Sequence, residues 1–167
     1  SKMKVVIVGD VKHSRVARTD LHALRTLGVG EIRVCGPQSL LPDDGTLAGC
    51  VQGQDFDAML QGVDVVMMLR LQNERMDGAY LPSAREYHAL YALTPQRLEK
   101  AKPDAIVMHP GPMNRGVEID GDLADDINRS VIQDQVEMGV AVRMACMDLL
   151  ARNLRAERGR KIVGTMV

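Results

Sequence analysis

Three short stretches of this sequence hold groups suited to gripping a small carboxylate. Arg70-Leu-Gln72-Asn-Glu74 leaves the end of an apolar run. In an extended chain Arg70, Gln72 and Glu74 project to one side, because the side-chain period is two. A planar guanidinium fork beside an amide makes a carboxylate clamp, and Glu74 is placed to hold Arg70 from behind. Arg15 follows Ser14 at the expected start of a helix, where backbone N–H groups favour an anion. The third stretch is His109-Pro110-Gly111-Pro112, after the apolar Ala105-Ile-Val-Met108. Prolines donate no backbone N–H, so regular structure must stop here and the carbonyls around Gly111 stay open to a ligand. The Gly111–Pro112 bond is expected to be cis, since an X–Pro bond keeps only about 0.5–1 kcal/mol of trans preference. Taken singly, each stretch also has a plainer reading: a solvated arginine, a charged surface loop, a rigid turn. His13 and Ser14 are not a catalytic pair, because adjacent side chains point apart and no third group orients the histidine.

The elements around these stretches must bring them together. Buried strands are expected at 4–9, 31–35 and 64–70 and from Ala105, with a short one near Cys50–Val51. Helices are expected from a Ser14 cap to about Leu27, from an Asp55 cap to Gly62, over 84–91, from Thr94-Pro95 to about Ala101, and over 131–152. Strand and helix alternate without a hairpin dipeptide. That pattern predicts an α/β fold, a doubly wound and mostly parallel sheet with helices on both faces, Rossmann-like, in one domain. Ligands of such sheets sit beyond the carboxyl ends of the strands, where Arg15, Arg70 and Gly111–Pro112 would all stand. The first loop, Gly9-Asp10-Val-Lys-His13-Ser14, is neither a GxGxxG turn nor a P-loop, so no dinucleotide site is encoded. Residues 71–86 are polar and irregular, long enough for a functional loop. The stretch 140–150 is apolar on more than one helical face and expects partners on more than one side. The basic tail, 153–167, is expected to be mobile or a docking segment. A core strand that begins at once, at Met3 or Lys4, is expected of a piece of a larger protein.

Composition narrows the function classes. With 167 residues, 46% hydrophobic and 26% charged, the chain has the balance of an ordinary globular domain. Its net charge of −1 offers no field for nucleic acid or an anionic membrane. Four aromatics, Phe56, Tyr80, Tyr87 and Tyr91, are too few to stack single-stranded bases. Eleven methionines suit core gaps or an interface. The three cysteines, Cys35, Cys50 and Cys146, have neither metal nor redox spacing and fit a cytoplasmic setting. No signal peptide or membrane-length apolar run is present in the sequence.

Four motifs occur in order: Gly9-Asp10-x-x-His13-Ser14-Arg15-Val16-Ala17-Arg18, Val66-Met-Met-Leu-Arg70-x-Gln72-x-Glu74-Arg75, Leu81-Pro82-Ser83, and Met108-His109-Pro110-Gly111-Pro112-x-Asn114-Arg115-Gly116-Val117-Glu118-Ile119. Together they resemble the C-terminal, L-aspartate-binding half of bacterial aspartate carbamoyltransferase catalytic chains, over about residues 4–150. The resemblance implies an aspartate-binding domain over 1–152. In it Arg15 and Arg70 hold the aspartate carboxylates and Gln72 meets the amino end. The backbone at Gly111 and Pro112 touches both the amine and carbamoyl phosphate, with Glu74 and Pro110 in support. It implies no metal and no organic cofactor, a homotrimer of full-length chains, and a cytoplasmic role in pyrimidine biosynthesis. The family's N-terminal half has no counterpart here: neither its Ser-Thr-Arg-Thr phosphate loop, nor the histidine that assists the carbamoyl carbonyl, nor a lysine lent by a neighbouring subunit. Hence no catalytic side chain is assigned in these residues, carbamoyl phosphate would be held by that other domain, and the chain alone is expected to be inactive. Two other readings stand beside this one, a non-catalytic amino-acid-binding or assembly module and a relative acting on ornithine. A pair of arginines suits a dicarboxylate better than a diamine.

Overall fold

The computed structural model describes residues 2–72 and 83–164, with side chains of the last helix described to residue 154. Five strands form one parallel sheet: β1 (Lys4–Val8), β2 (Glu31–Cys35), β3 (Val51–Gly53), β4 (Val65–Met68) and β5 (Ile106–Met108). Their spatial order is β3-β2-β1-β4-β5. The continuous apolar runs of β1 and β4 suit strands covered on both faces. Alternation then deals their side chains into two layers. Val5 and Ile7 pack with Ala17 and Leu21 of α1 (Arg15–Thr26). Val6 and Val8 pack with Phe56, Tyr87 and Leu98, from α2 (Phe56–Met59), α3 (Ala84–Tyr91) and α4 (Pro95–Leu98). The doubly wound sheet expected from the sequence is the sheet observed.

Local chemistry sets the helix starts. The Ser14 hydroxyl accepts from the Ala17 N–H at 3.1 Å, and Asp55, Ser83 and Thr94 cap α2, α3 and α4 in the same way. Gly28, with φ of +67°, stops α1 in a conformation that disfavours a side chain.

After Gly116, where no element is expected, the chain forms a one-turn helix, α5 (Gly121–Ala124), with Leu123 and Ala124 buried. Its turn is fixed by that burial, a tertiary contact with no periodic signal in so short a segment. The last helix, α6, spans Ile132–Gly164 and does not stop near 152. It runs on to Gly164, because Leu154, Arg155, Ala156, Glu157 and Arg158 are good helix formers and no proline interrupts them. Along α6, Val140, Met144 and Met147 are exposed. Among the described residues no helix is long and apolar enough to cross a membrane.

Candidate active site

β1 pairs with β2 on one side and β4 on the other, so the loops leaving β1 and β4 diverge and open a crevice at the carboxyl edge. Gly9 makes that divergence possible. Its φ is +121°, and a Cβ there would stand 3.0 Å from the Leu69 carbonyl oxygen. Beyond it, the buried Asp10 carboxylate accepts from the His13 N–H at 3.1 Å and meets His13 Nδ1 at 2.8 Å. Asp10 therefore orients His13, contrary to the expectation that no third group would, while the Ser14 hydroxyl is used in capping α1.

A cavity of about 200 Å³ lies in this crevice, lined by Ser14, Val16, Leu69, Arg70, Gln72, Pro110, Gly111 and Pro112. Arg70, Gln72, Pro110, Gly111 and Pro112 are all expected site residues, and the fold brings them to one place. Arg15 is at the first position of α1 and exposed; its neighbours Ser14 and Val16 line the cavity, but Arg15 itself does not. Glu74 lies outside the described residues. The Gly111–Pro112 bond is cis. Among the described residues nothing donates a hydrogen bond to the carbonyls of Pro110, Gly111 or Pro112. A guanidinium fork, an amide and backbone carbonyls can hold a molecule with an anionic end and an N–H-bearing end. Among the described residues no cluster of His, Cys, Asp and Glu is arranged to hold a metal ion.

The sequence profile described as "Aspartate/ornithine carbamoyltransferase, Asp/Orn binding domain" matches residues 1–150. The chain belongs to the aspartate/ornithine carbamoyltransferase family. It is similar to the aspartate carbamoyltransferase catalytic subunit of Stenotrophomonas maltophilia (strain R551-3), 69% identical over 150 residues, 90% of this chain and 47% of that protein. A second relative, the aspartate carbamoyltransferase catalytic subunit of Cereibacter sphaeroides (strain ATCC 17029), is 63% identical over 165 residues, 99% of this chain and 51% of the relative. The chain thus spans about half the length of these curated relatives. Among solved structures, aspartate transcarbamoylase from Trypanosoma cruzi in complex with N-(phosphonacetyl)-L-aspartic acid superposes with a TM-score of 0.70. It is 28% identical, with 88% of this chain and 49% of that one covered.

Two residues of the fourth motif have no role expected from sequence. His109 and Glu118 are both wholly buried behind the cavity, and each bonds to the loop between them. A histidine at a strand end and a glutamate among loop residues, both in an apolar setting, were the available signal. Nearby, burial pushes the Tyr87 phenol far above its usual range, and the Glu118 and Asp10 carboxylates add to the effect. Burial likewise pushes the Cys35 thiol up to about 12, which leaves it inert as a nucleophile at neutral pH.

Proposed function

We propose that the intact protein is an aspartate carbamoyltransferase, and that residues 1–152 form its L-aspartate-binding domain. The observation that supports this best is the convergence of Arg70, Gln72 and the Pro110–Gly111–Pro112 backbone on one cavity at the sheet's switch point. In this reading the Arg70 fork holds an aspartate carboxylate bidentately and Gln72 meets the amino end. Arg15, next to the cavity, takes the other carboxylate at the positive end of α1. The carbonyls at Gly111 and Pro112 accept from the attacking amine, which turns its lone pair towards the carbamoyl carbon. Rate then comes from orientation and from stabilising developing charge, a task suited to arginines and carbonyls. Carbamoyl phosphate would be held by a second domain, in a homotrimeric, cytoplasmic enzyme of pyrimidine biosynthesis that needs no cofactor. Glu74 would brace Arg70.

Aspartate is favoured over ornithine because a guanidinium suits its second carboxylate, whereas the lining offers a side-chain ammonium no carboxylate among the described residues. The test is carbamoyl transfer from carbamoyl phosphate by the intact protein and by the 167-residue chain. Carbamoyl-aspartate formed by the intact protein, and none by the chain alone, is expected. Transfer to ornithine in its place, or turnover by the 167-residue chain, would overturn the reading.

A further inference from the structure

His109 directly follows β5 and is completely buried, as is Glu118 nine residues on. The Gly111 N–H donates to His109 Nδ1 at 2.9 Å. A backbone N–H can only donate, so this nitrogen must be bare. The ring proton then sits on Nε2, which faces Glu118 Oε1 at 3.3 Å. The same oxygen accepts from the Asn114 N–H. Glu118 is itself anchored to the body of the fold, since its carbonyl accepts from the Leu93 N–H at 2.9 Å. An imidazolium would pair more strongly with the carboxylate but would set two donors against each other at Gly111. The geometry satisfies only the Nε2–H tautomer.

We propose that His109 and Glu118 are positioning residues. As a buried strut in the Nε2–H tautomer, they hold the Gly111 N–H inward and leave the neighbouring carbonyls aimed at the substrate amine. This deepens the carbamoyltransferase reading and rests on it for the amine. The strut removes the one backbone donor of the Pro110–Pro112 segment from the cavity, where it would oppose the amine's own N–H groups. Neither side chain lines the cavity.

Two substitutions separate the ring's two jobs. His109→Asn places an amide oxygen where Nδ1 stands and keeps the acceptor for Gly111. His109→Gln reaches towards Glu118 but leaves the Gly111 N–H unanswered. In the intact protein, His109→Gln is expected to lower kcat roughly ten- to a hundredfold, the scale of a misplaced reacting group. KM for aspartate should stay within about threefold, since binding rests on Arg70. His109→Asn should recover most of the kcat. Equal losses in the two variants, or a change in KM alone, would overturn the strut.

The tautomer is read independently by nitrogen-15 NMR of histidine-labelled wild-type protein, with His109 assigned through its contact with the Gly111 amide proton. A neutral Nε2–H ring is expected, and an Nδ1–H ring or an imidazolium would overturn the proposal even if both variants failed to fold. This readout needs no turnover. A wrong tautomer therefore condemns the strut, whereas a correct tautomer in a protein that transfers no carbamoyl group condemns the functional reading.

Discussion

Two cavities of the same size, about 200 Å³ each, open at the carboxyl edge of one sheet. One stands at the ends of β4 and β5 and is lined by Arg70, Gln72 and the Pro110–Gly111–Pro112 turn. The other stands at the ends of β2 and β3 and is lined by Gln38, Leu41, Gln52, Gly53 and Gln54. Their polar groups differ in kind. In the second, Gln54 Nε2 donates to Gln38 Oε1 at 3.1 Å, so amide answers amide and no charged side chain lines the wall. In the first, a guanidinium shares the wall with carbonyls that nothing donates to among the described residues. Topology explains the contrast. The loops after β1 and β4 part at the switch point, whereas β2 and β3 lie on one side of it and their loops stay together. Volume and position on the sheet edge do not mark a site; the kind of polar group in the wall does.

The contrast should survive four substitutions in the intact protein. The largest effect is expected at Arg70. Arg70→Lys keeps the charge but not the fork, and should cost about 1.5–3 kcal/mol, roughly ten- to a hundredfold in aspartate KM. Unchanged kinetics would remove the first cavity's claim. Next is Gly36→Ala, where the two regions touch: a Cβ at Gly36 would lie 2.7 Å from the Gly9 carbonyl oxygen. A backbone clash of that kind should destabilise the fold by about 1–3 kcal/mol in denaturant titration. No loss would mean that the loops after β1 and β2 are free to part. Ser14→Ala removes the α1 cap and should cost about 1 kcal/mol, with aspartate KM moved less than by Arg70→Lys. A greater kinetic than thermodynamic effect would give Ser14 a direct part in binding. Gln54→Ala, in the second cavity, should change stability by under about 0.5 kcal/mol and leave aspartate KM as it was. A tenfold rise in KM would erase the distinction between the cavities.

The sequence determined the elements, the motifs and the family, because these depend on short-range patterns. The apolar runs of β1 and β4, the capping residues Ser14, Asp55, Ser83 and Thr94, and the proline-bracketed Gly111 all act within a few residues of chain. Where order was set by distant contacts, reading along the chain fell short. The turn of α5 depends on burying Leu123 and Ala124, and α6 runs past 152 on propensity that the basic composition masked. Only the tertiary structure decided which polar groups are spent and which are left. It paired His13 with Asp10, put Arg15 beside the cavity and not in its wall, and tied Gly111 through His109 to Glu118. Hydrogen bonds and burial are settled by neighbours in space. The partner that decides what a residue such as His109 can do is invisible until β5 and the loop carrying Glu118 come together.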